Sequence, residues 1–593
     1  MTSKIQLYIN TVKYLKPSQI YYRLLNKTKR ELYKRNLKSF KYPNNIEISN
    51  KLDFLIPELD FNKEYLDRFD IKEILNNEFT FINIKNKVDL SGAWNNKDLQ
   101  HLWRYNLHYF EYLYVLAFKY LEEDKSEKYY SKFKIFIENW VENNPVGIGD
   151  GWHPYTISLR VTNWISVYKI FSDRITKDKN FDKAIKESLY IQYKYLQSIL
   201  EKDVLGNHYF ENIKALIICS TFFKDIKTVE KFKRELINQL KEQVLKDGMH
   251  FELSPMYHKI ILEDLIKITY WLKEHSIYNN LVDYIQKMID VTYSMEDNFG
   301  KTPAFNDSAD GISKDYKCLL EVSKKYFNIN PNYKDSFKES GFFIVEDKWK
   351  KLIFDAGDIC PSYLPAHGHC DALSFELSIG GRPMIVNSGT YMYQNGEWRN
   401  HFRSTSAHNS VGISKKEQSQ FWGSFRVAKR IKNIRSKQFK HNNINFCGGA
   451  YITYSGDEHK RYLGSIDENK LVVIDYVKSN SAKIYESYLH FIPGVEVTTK
   501  DNYVEIKKDD KTFKIRAIGC STLKIEKGYY SEKFNVKSEN QVLVLSKDDK
   551  KNCFGYIIDF TSESSKTELS KNELKIIDRK QIIINLNELE DVL

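Results

Sequence analysis

Residues 98–121 read DLQHLWRYNLHYFEYLYVLAFKYL. Their apolar side chains recur mostly three and four positions apart, which is the spacing of one face of an α-helix. The pattern returns, between short polar or glycine-containing connectors, in residues 129–141, 157–171, 181–200, 209–223, 229–245, 260–275 and 281–293. A succession of helix pairs predicts an all-α toroid or a solenoid. No repeat of fixed period is visible, which argues against the solenoid.

The rhythm changes after about residue 336 to short β-rich runs punctuated by Gly, Asn and Asp. Such runs predict an antiparallel β-sandwich. The predicted strands are 342–345, 352–355, 374–379, 384–387, 471–477, 503–507, 512–517, 542–545 and 556–560. We therefore expect three parts: a helical extension in residues 1–90 that packs on the toroid, the toroid in 91–335 and the sandwich in 336–593.

Composition is that of a globular protein, and 593 residues favour two large domains over one core. The formal charge of +12 permits a polyanionic partner, although lysine runs are more often solvated faces. Nucleic acid is disfavoured because the sequence holds no basic motif of a known binder. Seven cysteines without a CxxC pair predict free thiols.

The first 35 residues interleave basic side chains with Tyr, Leu and Ile, but contain no uninterrupted apolar stretch. We therefore predict neither a signal peptide nor a transmembrane segment. The expected location is cytoplasmic, with non-classical export left open. A basic amphipathic helix around residues 20–33 either lies on a membrane surface as a peripheral contact or packs on the rest of the protein, and packing is the favoured reading. The oligomeric state is not predicted.

The segment HGHCDALSFEL, residues 367–377, places two imidazoles and a carboxylate within five residues. On an extended segment His367 and His369 point to the same face, where they can share a substrate, a proton or a metal. A second polar cluster at residues 403–409 contains His408. The plainer alternative is a set of surface or satisfied core histidines.

Four polar clusters interrupt the helical half, at residues 103–109, 151–155, 206–212 and 247–258. They alternate aromatic, amide and basic side chains, which is typical of a sugar-binding cleft. Aromatic rings stack on pyranose faces, and Arg, Asn and His bind hydroxyl and carboxylate groups. Any one cluster alone can be a helix cap. The predicted substrate contacts are Trp152, His153, Arg160, Glu211, His258, Trp398, Arg399 and Arg403.

These clusters, taken in order over roughly residues 90–420, resemble the heparinase II and III family of polysaccharide lyases. The resemblance implies an incomplete α/α toroid followed by an antiparallel β-sandwich, and β-elimination of a 4-linked uronic acid polymer. It assigns Asn207 to neutralising the substrate carboxylate. Because His208 and Glu211 share one face if the segment is helical, we expect them to orient it. Tyr257 matches the family's catalytic tyrosine, which serves as both base and acid when the two groups leave from the same face. His367 matches the catalytic histidine, the base for the opposite epimer.

The resemblance also implies a structural zinc ion, which part of the family binds. His369 and His408 match two of its ligands, but Asn387 stands where a carboxylate is expected, and Asn is a poor zinc ligand. Asp371 is a substitute carboxylate, or it orients the His369 ring. The chemistry itself requires no cofactor.

Two other functions compete with the lyase. A glycoside hydrolase on the same scaffold would need two carboxylates across the cleft, among Glu211, Glu252, Asp307 and Asp310. A non-catalytic glycan-binding protein would keep the toroid alone. Action on the cell's own capsule or exopolysaccharide is a further hypothesis. The identity of the polymer and endo or exo action stay open.

Overall fold

The computed structural model describes residues 3–35, 37, 39–43, 47–49, 53–90, 92–296, 300–480, 484–500, 503–548, 553–561, 566–577 and 581–593. The N-terminal part contains α1 Lys4–Val12, α2 Pro17–Lys34, α3 Pro57–Asp60, α4 Lys63–Leu66, α5 Ile71–Leu75, β1 Glu78–Phe81 and β2 Ile84–Lys87. The two strands form a hairpin within the region predicted to be a helical extension. Its turn places Ile82 and Asn83 at positive φ.

The helical part continues with α6 His101–Tyr109, α7 Leu113–Glu122, α8 Glu127–Asn143, α9 Pro154–Ile175, α10 Lys179–Ser198, α11 Gly206–Phe222, α12 Ile226–Gln243, α13 Pro255–Trp271, α14 Tyr278–Met295 and α15 Tyr316–Phe327. The segment 98–121 is therefore two helices, not one. Phe110 adopts a left-handed conformation (φ 64°) and ends the first. Its buried ring stacks on Trp94 in the toroid core, so packing fixes a break that periodicity does not show.

Neighbouring helices pack against one another around a single apolar core. Helix α9 contacts α7, α10 and α11, and α11 in turn contacts α12 and α13. Both α9 and α11 are buried on nearly every side. This arrangement brings the N-terminal ends of α9, α11 and α13 to one cavity, which contains the candidate site.

The second half is built from antiparallel strands in several sheets. A five-stranded sheet has the order β3-β4-β5-β6-β7, an eight-stranded sheet β11-β12-β13-β14-β21-β18-β17-β16, and a four-stranded sheet β19-β20-β15-β8. Smaller sheets pair β9 with β10 and β22 with β23 and β24. The strands are β3 Ser336–Phe337, β4 Phe342–Glu346, β5 Lys350–Asp355, β6 Phe375–Ile379, β7 Arg382–Ile385, β8 Val411–Ile413, β9 Phe421–Trp422, β10 Arg426–Val427, β11 Lys432–His441, β12 Ile444–Ile452, β13 Glu458–Asp467, β14 Lys470–Lys478, β15 Tyr485–His490, β16 Glu496–Thr499, β17 Tyr503–Lys508, β18 Lys511–Ile518, β19 Thr522–Lys533, β20 Val536–Lys547, β21 Cys553–Asp559, β22 Lys566–Leu569, β23 Glu573–Ile577 and β24 Gln581–Asn585.

One apolar core joins the three larger sheets. It includes Phe354 and Phe375 from the five-stranded sheet, Val473 and Ile515 from the eight-stranded sheet and Leu543 from the four-stranded sheet. Two short helices, α16 Glu397–Phe402 and α17 Leu586–Glu590, lie outside the sheets. The predicted architecture, an α/α toroid followed by an antiparallel β-sandwich, is confirmed.

All seven cysteines are free thiols. Within the part of the chain that the structure describes, no helix is both long and apolar enough to cross a bilayer.

Candidate active site

A cavity of about 880 Å³ lies between the toroid and loops of the sandwich. The toroid contributes aromatic, amide and imidazole side chains, the sandwich contributes loop residues, and the N-terminal part closes one end with Tyr65 and Arg68. Of the predicted site residues, the lining includes His153, Asn207, His208, Glu211, Tyr257 and His367. The site is therefore built from both halves of the chain.

Asn207 is the second residue of α11 and presents its amide to the cavity. Its backbone N–H donates to Glu252 Oε1 at 2.9 Å, whereas its side chain makes no hydrogen bond to any described residue. Gly206 before it has φ +55°, and a Cβ there would lie 2.3 Å from Glu252 Oε1. Glycine therefore lets the Glu252 carboxylate approach the start of α11, which holds the backbone of Asn207 and leaves its amide free.

Tyr257 lies in the first turn of α13, where Ser254 caps the helix by accepting from the Tyr257 N–H. The phenol oxygen is 3.0 Å from the hydroxyl of Tyr393, a residue of the sandwich. Burial raises the pKa of Tyr257 far above its usual value, and the nearby Asp307 carboxylate raises it further. The phenol is therefore protonated at neutral pH and suited to donating a proton.

The imidazole of His367 packs on the Tyr257 ring with 3.9 Å between centroids. Its Nδ1 lies 3.1 Å from Asp307 Oδ2, and because a carboxylate only accepts, Nδ1 carries the hydrogen. Its Nε2 is 3.4 Å from Glu252 Oε2 but makes no hydrogen bond with it. Asp307 thus fixes the tautomer in which a neutral imidazole carries its lone pair on Nε2, the arrangement that a general base needs.

Asp307 is the centre of a fully buried ion cluster. Arg399 binds both of its oxygens, and His369 Nε2 donates to Oδ1 at 2.8 Å. The Arg399 guanidinium holds the pKa of the Asp307 carboxyl well below its usual range, although burial opposes the shift. This cluster ties the 367–369 loop to α16 and to the loop after α14.

His208 is held by a carboxylate that sequence reasoning missed. Glu201 Oε1 accepts from His208 Nδ1 at 2.9 Å, and Asn212 donates to the other oxygen at 3.0 Å. Despite the opposing effect of burial, the imidazoles of His208 and His153 lower the pKa of Glu201 to about 2, and Glu201 raises that of His208. The prediction that His208 and Glu211 orient Asn207 is therefore wrong. Glu201 binds His208, and Glu252 holds Asn207.

Glu211 lines the cavity floor beside Lys214, with 2.7 Å between Oε1 and Nζ. Lys214 also binds Asp264. Burial, followed by the charge of Asp264, raises the pKa of Glu211 well above its usual value. Glu211 therefore lines the cavity, but its carboxyl is engaged by Lys214.

Three predicted substrate contacts of the toroid lie behind the cavity wall. Arg160 is completely buried, packs on Trp140 and donates to Gln192 Oε1 at 2.8 Å. Trp152 donates to the Asn144 carbonyl at 2.9 Å. His258 accepts from the His250 N–H at Nδ1 and donates to the Met288 carbonyl at Nε2. These three side chains are scaffold, because each satisfies its own buried polar atoms within the protein.

The three substrate contacts predicted from the sandwich, Trp398, Arg399 and Arg403, do not line the cavity either. Arg399 is committed to Asp307, and Arg403 donates to the carbonyls of Gly368, Gly423 and Ser424. Trp398 is half-buried, packs edge-on against Tyr529 and does not appear among the described residues that line the cavity. The rings that do face the cavity from this side are Tyr393, Phe425 and Phe534.

The arrangement of His369 and His408 meets part of what a metal site requires. His369 Nε2 donates to Asp307, and His408 Nδ1 donates to the Ser404 carbonyl at 2.7 Å, so His369 Nδ1 and His408 Nε2 face each other with lone pairs at 3.2 Å. Two such lone pairs need a proton or a cation between them. Burial lowers the pKa of both imidazoles, which disfavours the proton. Hydrogen bonds on the far nitrogens are also what metal-binding histidines make.

Asn387 does not complete that set. Its amide donates to Ser374 Oγ at 3.1 Å, and its oxygen accepts from the Asn409 N–H at 3.0 Å. Asp371 is engaged elsewhere, with the Asn306 N–H at 2.7 Å. Among the described residues, no group of three or more His, Cys, Asp or Glu side chains is arranged to hold a metal ion.

The chain matches two protein-family models. The Heparinase II/III N-terminus family model matches residues 48–335, and the Heparinase II/III-like, C-terminal model matches residues 330–570. The chain belongs to the heparinase II/III family. The two matched regions include both walls of the cavity. As a member of this family, the chain is a polysaccharide lyase.

Curated relatives of this heparinase II/III family member include the heparin-sulfate lyase of Pedobacter heparinus, 22% identical over 77% of this chain and 73% of the relative. The heparin-sulfate lyase of Bacteroides thetaiotaomicron is 20% identical over 74% of this chain and 69% of its own. Among solved structures, one of heparinase III aligns with a TM-score of 0.71 at 17% identity, covering 96% of this chain and 98% of that one. The heparan sulfate lyase structure from Pedobacter heparinus has a TM-score of 0.61 at 19% identity, covering 95% and 94%.

Proposed function

We propose that this chain cleaves a uronic-acid-containing glycosaminoglycan by β-elimination. The observation that carries the proposal is the free amide of Asn207 in the same cavity as the Tyr257 phenol and the His367 imidazole. The named activity of the relatives, heparin-sulfate lyase, supports the same substrate class.

Elimination begins with loss of the C5 proton beside the uronate carboxylate. That proton is weakly acidic because negative charge develops on a group that is already charged. A neutral donor aimed at the carboxylate stabilises this charge, and the effect is stronger in a cavity that is partly shielded from water. Asn207 is a buried cavity amide with no competing partner among the described residues, so we assign it this role.

Tyr257 and His367 divide the proton transfers. The raised pKa of Tyr257 keeps a proton on the phenol, which can pass to the departing C4 oxygen. His367, with its Nδ1 hydrogen bound by Asp307, offers Nε2 to accept the C5 proton. The C5–H pair becomes the C4–C5 double bond, the C4–O bond breaks with its electrons on oxygen, and the proton from Tyr257 neutralises the leaving group.

Lys314 supports the proposal that the substrate is an acidic polymer. It is buried, lines the cavity, and its ammonium lies over the Tyr65 ring without an ion pair to any described residue. Burial lowers its pKa to about 8, so the side chain is still mostly charged at neutral pH. An unpaired buried cation gains when an anion approaches, and a carboxylate or sulfate on a flanking sugar is the matching group.

A bound metal would be structural. His369 and His408 would hold it, and it would link the 367–369 loop to the segment before β8. Because the described residues supply only these two ligands, any divalent metal that metal analysis of the purified protein finds should be weakly held, and it should be lost in His408→Gln. Equal metal content in the two proteins would contradict the site.

The test is ultraviolet absorbance during incubation with heparan sulfate, heparin, hyaluronan, chondroitin and alginate. Elimination leaves a conjugated double bond, so absorbance should rise with one polymer and stay flat in Tyr257→Phe. Tyr120→Phe is the matched control, since Tyr120 is buried in the toroid away from the cavity. New reducing ends without absorbance would establish hydrolysis instead.

A further inference from the structure

The first 35 residues carry an unusual share of the charge of the protein. They contain nine Lys and Arg residues and one acidic residue, Glu31, which gives +8 of the +12 of the whole chain. Helices α1 and α2 lie in this segment. Five of the nine basic residues are on α2, one is on α1, and the other three are Lys13, Lys16 and Arg35 beside the helix ends.

Helix α1 is attached by one side only. Tyr8 packs edge-on against Trp422 with 4.7 Å between centroids, and Trp422 Nε1 donates to Thr11 Oγ1 at 3.0 Å. On the other side Ile5, Ile9 and Val12 follow the i, i+4, i+7 spacing of a helix face and are 72%, 60% and 45% exposed. Helix α1 thus presents an apolar stripe to solvent.

Helix α2 repeats the arrangement. Its buried side is fixed to the end of α10 and the loop that follows, where Asn26 donates to the Leu200 carbonyl at 2.9 Å and Tyr33 to Ser198 Oγ at 2.9 Å. The outward side exposes Tyr21 and Leu24, at 61% and 65%. The prediction that α2 packs on the rest of the protein explains its buried side but not its exposed apolar side.

We propose that the N-terminal amphipathic surface, defined as the outward sides of α1 and α2, docks on an anionic lipid bilayer. The exposed Ile, Leu and Tyr side chains enter the boundary between head groups and acyl chains, and the exposed Lys4, Lys13 and Lys27 face lipid phosphates. Charge complementarity selects an anionic surface. The apolar stripe selects lipid over a polysaccharide, because a hydrated polyanion gains nothing from isoleucine and leucine in contact with it.

This contact is peripheral and separate from catalysis. None of the outward residues of α1 and α2 is among the described residues that line the cavity. Docking would hold the lyase at a membrane while its cavity acts on a soluble polymer. The proposal therefore stands or falls independently of the proposed reaction.

The experiment is co-sedimentation of the full chain with phosphatidylcholine vesicles, with and without phosphatidylglycerol. Binding should be at least about tenfold tighter to the anionic vesicles, as expected for several basic residues near the surface. The double variant Ile9→Ser/Leu24→Ser should weaken it by about tenfold or more, and Lys4→Gln/Lys13→Gln/Lys27→Gln should act similarly. The control Ile226→Ser removes an equally exposed isoleucine, 73% exposed on α12, and should bind as the unmodified chain does.

Three results would overturn the proposal. The first is no binding to either vesicle. The second is binding that survives in the Ile9/Leu24 variant but is lost in the lysine variant and with soluble heparin, which would make the surface a polyanion site. The third is a concentration-dependent dimer in sedimentation velocity that the Ile9/Leu24 variant abolishes, which would assign the surface to a second copy. Lyase activity on soluble substrate is measured in each variant, should be unchanged, and separates this failure from failure of the reaction.

Discussion

The two walls of the cavity are built in different ways. The toroid wall supplies His153, Asn207 and Tyr257 from the beginnings of α9, α11 and α13. The sandwich wall supplies His367 and Tyr393 from loops. Helix starts are held by capping and by their own backbone, whereas the loops are held by the buried cluster around Asp307.

Because of this difference, the toroid wall mainly supplies reactive groups, whereas the Asp307 cluster holds a reactive group of the sandwich wall in position. A change at a helix start removes a functional group and leaves the helix in place. A change at Asp307 or Arg399 removes no group that meets substrate directly, yet it releases the loop that positions His367. Activity and stability should therefore respond separately on the toroid wall and together on the sandwich wall.

The largest effect is expected for Asn207→Ala. Loss of the donor to the substrate carboxylate should lower kcat by roughly 100- to 1,000-fold, as for an oxyanion donor, with almost no change in Tm. Asn106→Ala, another cavity amide, should stay near the unmodified rate, since Asn106 donates to its own helix. Steady-state kinetics and thermal unfolding check both. A large fall in Tm for Asn207→Ala would mean that the two walls do not differ as described.

Asp307→Asn should reduce both activity and stability. It leaves the buried Arg399 guanidinium without its carboxylate, which should lower the free energy of unfolding by about 3–5 kcal/mol, and it loosens His367. Asp310→Asn is the control, because Asp310 accepts a single backbone N–H at 3.0 Å. Denaturant unfolding and kinetics measure the pair. Full stability with lost activity would instead place Asp307 in the chemistry, as a hydrolase requires.

Glu201→Gln tests whether the toroid wall also depends on an ion pair. The folded pKa of Glu201, about 2, lies below its usual 4.5, so its stabilisation is present above pH 4.5 and lost as pH falls toward 2. The folded pKa of His208 lies above its usual 6.5, so its stabilisation is present below pH 6.5 and lost as pH rises through the folded value. The Tm difference from the unmodified chain should therefore be largest between pH 4.5 and 6.5. A difference independent of pH would show that Glu201 acts through its bond to Asn212 alone.

Tyr393→Phe should give the smallest effect. The variant removes the hydroxyl 3.0 Å from the Tyr257 phenol, a neutral hydrogen bond worth about 0.5–1.5 kcal/mol. We expect kcat to fall by roughly three- to tenfold with KM and Tm nearly unchanged. Tyr391→Phe, a neighbouring tyrosine that packs on Trp398, serves as the control. A loss as large as that of Tyr257→Phe would make Tyr393 a second proton donor.

Sequence patterns pointed to Asn207 and Tyr257, which the structure places in the cavity, because these residues follow local rules. Asn207 and Tyr257 stand at helix starts, where polar side chains interrupt an apolar periodicity. The patterns failed for Arg160 and Arg399, since a buried arginine with an internal partner and a substrate-binding arginine look alike in one dimension. Tyr393 carried no local signal at all.

The sequence alone determined the division into a helical half and a β-rich half, predicted the free thiols and pointed to Asn207, Tyr257 and His367, because periodicity and short motifs depend on neighbours along the chain. Tertiary structure alone decided that Glu252 holds Asn207, that Glu201 holds His208 and that Asp307 joins His367, His369 and Arg399. Those partners lie up to 92 residues apart in the sequence. Their pairing follows from the burial of charged and polar groups, each of which then needs a partner within the protein.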